Sequence, residues 1–209
     1  SAIPSGVSDY EIENSLRFNK ADSSKLDKTF ASAGNRKKWT FSCWSKVSSV
    51  GEGILLYAHT DASNHALIYW AGGTQNQFTF QDVVSGSNQT YMRSSAYGRD
   101  HASWYHLVVK YDSTPATPDS SDVALYINGE QVTAFHETPV YPDQNDDSNI
   151  NSDVAHYIGA QASSNYYGGY LAEMYFIDGQ ALDADSFGEL SSTTNQWIPK
   201  DASGLTFGT

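Results

Sequence analysis

Apolar and polar residues alternate along this chain in short runs, and a helical 3.6-residue period almost never replaces that alternation. The run 39–47 (WTFSCWSKV) sends Phe41, Cys43 and Ser45 to one face and Thr40, Ser42 and Trp44 to the other, as a strand does. Leu16 and Phe18 alternate with polar residues in 15–20, and 24–30 reads as a neighbouring strand. Runs 53–59 and 65–70 flank the polar turn 60–64, which predicts a hairpin; 77–83 continues the meander and 89–93 adds a strand. Two runs rich in aromatic and β-branched residues follow, 104–112 and 122–132, around a loop of Ser, Thr, Pro and Asp. The second contains Asn128-Gly129, the pair best suited to the two positive φ angles of a type I′ turn. After the irregular stretch 138–153, strands are expected at 154–159 and 170–177, separated by the polar-aromatic loop 161–169. Residues 183–190 have the spacing of no more than a short helix. About twelve short strands and almost no helix predict an all-β sandwich of two antiparallel sheets. The expected organisation is an N-terminal arm or linker over 1–14, the sandwich over 15–190, and a tail over 191–209 that packs back through Trp197 and Ile198.

At 209 residues the chain is long enough for one well-filled sandwich, and its 14 Tyr, 9 Phe and 5 Trp suit half-buried pleated surfaces. A net charge of −12 argues against nucleic acid, which needs clustered cations. The one basic cluster, Arg36-Lys37-Lys38, reads as a solvated loop beside a strand. The single cysteine, Cys43, cannot pair within the chain and reads as a small buried hydrophobe. No signal peptide, lipidation motif or transmembrane run is visible, so membrane insertion is not expected. The first residue is Ser1 rather than Met, which points to a processed product or a piece of something longer.

The hairpin WYHLVVKYD (104–112) with VALYINGEQV (123–132) resembles the core hairpin of laminin G-like and pentraxin domains. TFSCWSKV (40–47), ILLYAHTDASNHALIYW (54–70) and YIGAQASSNYYGGYLAEMYFIDGQALDADSF (157–187) extend that resemblance over most of the chain. It implies a concanavalin A-like jelly-roll sandwich that binds sugars or cell-surface glycans. The phrases SLRFN, AGNRKKWT, NGEQVTAF, FIDGQALDADSFGE and WIPK resemble laminin G-like segments of marine bacteriophage tail or fibre proteins. That second resemblance implies a location on the virion surface or outside the cell. The partners it implies are a host-surface glycan or receptor and other virion proteins, with room for a homo-oligomer.

Against an enzyme, the Glu-x-Asp-x-x-Glu pattern that the glucanase relatives would imply is missing. Glu173 and Asp178 are five apart, so strict alternation puts them on opposite faces. No motif joins His106, His156, Tyr157 and Arg93 into a lyase site. For metals, the acidic surface permits Ca²⁺, and Asp143, Asn145, Asp147 and Asn149 alternate like the start of a calcium loop. The Gly and bidentate Glu of such a loop are absent, so the metal ligands are unknown and a solvated loop is the simpler reading. Asp61 and Asn64 form a second, weaker candidate.

A sugar site needs an aromatic platform with amides and carboxylates around it. The loop 161–170 offers Asn165, Tyr166 and Tyr167, and the pentraxin resemblance brings Asp61, Asn64 and His65 near it. Replacing both tyrosines with Ala is then expected to remove glycan binding and spare the fold. The reading is a non-catalytic adhesion or receptor-binding module of a viral tail or fibre. Its alternatives are a virion decoration or assembly domain without a soluble ligand, and a glycan hydrolase or lyase.

Overall fold

In the computed structural model, which describes residues 10–48, 51, 53–71, 73 and 76–208, the alternating runs pair into two six-stranded antiparallel sheets. In chain order the strands are β1 (Leu16–Phe18), β2 (Leu26–Thr29), β3 (Lys38–Val47), β4 (Gly53–Asp61), β5 (Asn64–Ala71), β6 (Gln77–Val84) and β7 (Ser87–Tyr97). They continue with β8 (Tyr105–Asp112), β9 (Ala124–Ile127), β10 (Glu130–Gln131), β11 (Ala155–Ile158), β12 (Gly169–Asp178), β13 (Gly188–Leu190) and β14 (Trp197–Pro199). The first sheet runs β1-β12-β3-β8-β9-β10 and the second β2-β11-β4-β5-β6-β7, while β13 and β14 form a separate pair. One edge of the sandwich is therefore bounded by β1 and β2, and the opposite edge by β10 and β7. The first nine residues of the expected arm lie outside the described residues; beyond them, the Tyr10 hydroxyl bonds Glu173.

The inner faces follow the alternation. Trp39, Phe41 and Cys43 on β3 meet Ile68 and Trp70 on β5, Phe78 and Phe80 on β6, and Leu107, Val109 and Tyr111 on β8, all at most 1% exposed. Trp39 stacks on Tyr111 at 5.1 Å and meets Phe80 edge-on at 5.5 Å. Burial of such aromatic area is the main stabilising contribution, roughly 2 kcal/mol or more per large side chain.

The outer face of the first sheet is also buried, which the polar residues there did not suggest. Val108, Ala124, Tyr126 and Ile177 pack against Ala184, Phe187 and Ala202 of the C-terminal segment. The polar outward residues hold that segment in place: Thr40 Oγ1 donates to the Gln180 carbonyl (2.8 Å) and accepts from the Leu182 N–H (2.7 Å). The short helix expected at 183–190 is only a three-residue 3₁₀ turn, Ala184–Ser186, because β13 begins at Gly188 to pair with β14. Strict alternation also fails on β12, where a bulge between Ala172 and Tyr175 inserts an extra residue and Glu173 takes φ +44°. The parity that set Glu173 against Asp178 is lost there. Glu173 accepts from the Tyr175 hydroxyl, and Asp178 accepts from Asn35 N–H and Asn151 Nδ2 (2.7 Å each), so both carboxylates are occupied in structural bonds.

The basic cluster is less free than a solvated loop. Arg36 Nε donates to the Ser148 carbonyl (2.6 Å), Lys38 pairs with Asp112 (2.6 Å) and Lys37 with Asp147 (3.6 Å). Among the described residues no helix is long and apolar enough to cross a membrane.

Candidate functional site

The expected rim site is only partly assembled. Asp61 accepts from the Ser63 N–H (2.8 Å) and from Asn64 Nδ2 (3.0 and 3.2 Å), which hold its carboxyl below the ordinary range. Asn64 Oδ1 accepts from the Ser85 N–H (3.1 Å), tying this turn to the β6–β7 turn. Asn165 has φ +47° and donates to Gln161 Oε1 (2.8 Å). These amides and carboxylates bond one another, which leaves little preorganised capacity for a ligand. His65 and the 161–162 segment do meet on the outer face of the second sheet, through Tyr57, which lies 6.1 Å from the His65 ring and hydrogen-bonds Gln161. Tyr166 is half-buried.

Tyr167 requires a correction. It is fully buried between the sheets, edge-on to Phe18 (6.0 Å), with its hydroxyl bonded to Ser45 Oγ (2.8 Å), which also accepts from Trp70 Nε1 (3.0 Å). In the pair Tyr166-Tyr167 the second ring points inward, next to Gly169, which at φ +149° lies too close to Lys46 and Val47 for any Cβ. The double alanine variant would therefore damage the core rather than spare it. Tyr167→Phe is expected to lose about 1 kcal/mol in urea unfolding with glycan binding unchanged; a loss of binding would restore Tyr167 to the site.

The alternating residues 143–149 are tied into structural bonds of their own. Asn149 Nδ2 donates to Asp82 Oδ1 (2.6 Å), Asp147 pairs with Lys37, and Asn145 turns the chain at φ +64°. Asn149 and Asp147 are thus committed to other partners, and among the described residues no group of three or more His, Cys, Asp or Glu could hold a metal.

Openings lie at both edges of the sandwich. The one between β1 and β2, about 720 Å³, is lined chiefly by apolar side chains such as Leu16, Leu26, Phe30 and Met174. Among its polar lining residues, Asn151, His156 and Glu173 are engaged in bonds within the protein, so apolar surface dominates it. The other, about 830 Å³, has both components. It lies beside β7, β10 and β14 and is lined by Trp44, Trp104, Trp197 and Tyr105, together with Asn128, Glu130, Gln131, Asn195 and Gln196.

Local chemistry fixes each wall of this cleft. The Asn128-Gly129 turn has φ +51° and +83°, as its sequence predicts, and Asn128 Oδ1 accepts from the His106 N–H (2.8 Å). Trp197, on β14, lies over two glycines: a Cβ at Gly129 would fall 2.3 Å from its ring and one at Gly188 2.6 Å. Trp197 Nε1 donates to His106 Nδ1 (3.0 Å). Because indole is only a donor, neutral His106 must carry its proton on Nε2, which then donates to Ser42 Oγ (2.9 Å). Burial pushes the His106 pKa down to about 3, so the ring stays neutral, stacked on Trp44 (5.0 Å) with Trp197 at its edge. The turn that carries Asn195 and Gln196 is tied by Ser191 Oγ, which accepts from Thr193 and Thr194 N–H. Asp100 caps the loop before Trp104, accepting from Ala102 N–H (2.8 Å) and the Ser103 hydroxyl. Trp104 and Trp197 are half-buried, and Trp44 is 4% exposed and forms the floor.

The sequence reading placed Trp197 in the tail and Trp104 in a strand without assigning either to a site. The available signal was tryptophan at the start of a strand and beside a tail turn, where a large ring is only half covered.

Comparison with known proteins agrees with this architecture. The structure resembles a heptameric SAP-like pentraxin from Limulus polyphemus (TM-score 0.53, 15% identity, 85% of each chain). It also resembles domains LG4-5 of the mouse laminin α1 chain (0.55, 13%, covering 95% of this chain and 50% of that one). A third likeness is to a Bacteroides ovatus protein provisionally named for carbohydrate binding (0.56, 13%, 84% and 46%). The chain thus spans about half the length of the laminin and Bacteroides chains. No curated protein sequence matches. The family description "Concanavalin A-like lectin/glucanases superfamily" matches residues 19–186. That match runs over most of the two-sheet sandwich, and the chain belongs to the concanavalin A-like lectin/glucanase superfamily.

Proposed function

We propose that this chain is a non-catalytic glycan-binding module whose ligand lies in the tryptophan cleft. The cleft itself carries the proposal: the half-buried Trp104 and Trp197 give aromatic surface for the C–H side of a sugar, and Asn195, Gln196 and Glu130 offer donors and acceptors for its hydroxyls. Stacking and amide bonding need no charged catalytic pair. Among the described residues lining the cleft Glu130 is the single carboxylate, whereas hydrolysis by the usual route requires two. In its finer form, the proposal is an adhesion or receptor-binding module displayed on a viral tail or fibre, where the module meets a host-surface glycan. The bacteriophage-like phrases around Arg36, Asn128 and Trp197 support that placement. Immunolabelling of phage particles with an antiserum to this domain tests it; label at the tail supports it, and label absent from particles would refute it.

The cleft assignment is tested on a glycan array with and without chelator, using the wild type and Trp104→Ala. The expected result is binding that survives chelation and falls about tenfold or more in the variant. Binding that Trp104→Ala leaves intact would move the ligand elsewhere. Binding lost on chelation would bring back calcium and the acidic loops.

A further inference from the structure

The cleft has a charge pattern that narrows its ligand class. Among the described residues lining it, Glu130 alone is charged, and no Lys, Arg or His joins it. Glu130 sits on β10 at the exposed edge of the first sheet, in a chain of net charge −12. We propose that the cleft selects uncharged glycans and that Glu130 is the residue that turns acidic sugars away; this rests on the glycan-binding reading above.

The physical argument concerns desolvation. A uronate, sialate or sulfate entering a tryptophan-walled cleft sheds water, and that loss is offset only where cations or converging N–H donors replace it. Arg is the usual partner for such groups because its planar fork matches two oxygens at once. Among the described residues lining the cleft, the polar side chains are amides, hydroxyls, indoles and one carboxylate. Amides serve neutral hydroxyls and N-acetyl groups well, since each both donates and accepts. The Glu130 carboxylate accepts from a sugar hydroxyl and repels a second anion. At the exposed edge that repulsion is modest and screened by salt, so it acts as a filter whose strength depends on ionic strength.

The test is a titration of the intact chain, followed by tryptophan fluorescence and calorimetry. The neutral probes are cello-, laminari-, manno- and N-acetylchito-trioses; the acidic probes are trigalacturonic acid, trimannuronic acid and sialyllactose. Binding of neutral probes in preference to acidic ones, lost in Trp104→Ala, is the expected result. Glu130→Gln should raise the acidic-to-neutral affinity ratio about threefold at low salt. In the wild type that ratio should also rise with ionic strength, and in Glu130→Gln it should not. Tighter binding of acidic probes, still dependent on Trp104, would overturn the charge filter and leave the glycan site standing. Silence from both sets, or binding indifferent to Trp104→Ala, would overturn the site and the filter together.

Discussion

Trp197→Ala is expected to remove about 3 kcal/mol of stability and to abolish glycan binding in the same variant. Trp197 links the tail to the sandwich: its ring fills the space left by Gly129 and Gly188, and its N–H bonds the buried His106. Truncation opens a cavity beside two glycine backbones and leaves His106 Nδ1 buried without a donor. Trp197→Phe separates the two contributions. It keeps most of the ring and removes the N–H, so a loss of about 1–2 kcal/mol with a partly retained cleft is expected. Urea unfolding at fixed pH measures both, and array binding follows the cleft. A Trp197→Ala loss under about 1 kcal/mol would mean that the tail is held by Phe187, Ile198 and Ala202 without it.

The sandwich was legible because burial on one face writes period two directly into the residues. Phe41 and Cys43 against Thr40 and Ser42 is the clearest case, and the Asn128-Gly129 turn follows from φ alone. The departures have local causes. The bulge at Glu173 shifts parity by one residue, and no residue type there announces it. Tyr166 and Tyr167 stand in a glycine-rich loop where alternation has no fixed phase, so composition could not decide which ring faces in. Asp61 and Asn64 looked like free ligand groups because a sequence does not reveal that they bond each other. The tryptophan cleft was the least legible feature. Its walls come from Trp44, from Ser95 through Tyr105, from Ile127 through Ala134, and from Leu190 through Trp197, and each stretch alone reads as a strand or a turn. Only the closure of the tail over the first sheet brings them together.

Asp82 carries the other large expected effect, and it lies at the opposite limit of exposure from Glu130. It is fully buried on β6 and accepts from Ser148 Oγ (2.6 Å), Asn149 N–H (3.0 Å) and Asn149 Nδ2 (2.6 Å), fastening the long 138–153 segment to the core. Asp82→Ala leaves those buried donors without an acceptor and should lose about 3 kcal/mol. Burial lifts the Asp82 pKa from 3.8 to about 6, although the Ser148 and Asn149 bonds and Arg36 pull it down. As pH falls from about 6 towards 3.8, the folded state takes up this proton before the unfolded state does, so Asp82 adds stability across that window. His106 works in the other direction. Its pKa falls from 6.5 to about 3, so the unfolded state protonates first and stability declines below about 6.5. Each slope approaches about 1.4 kcal/mol per pH unit, and the two offset one another between about pH 6 and 4. Asp82→Asn removes one of them. Relative to wild type, that variant should lose roughly a further 1 kcal/mol per unit as pH drops from 6 to 4 in urea unfolding. A constant difference across that range would mean that Asp82 is not the group whose protonation steadies the fold in acid.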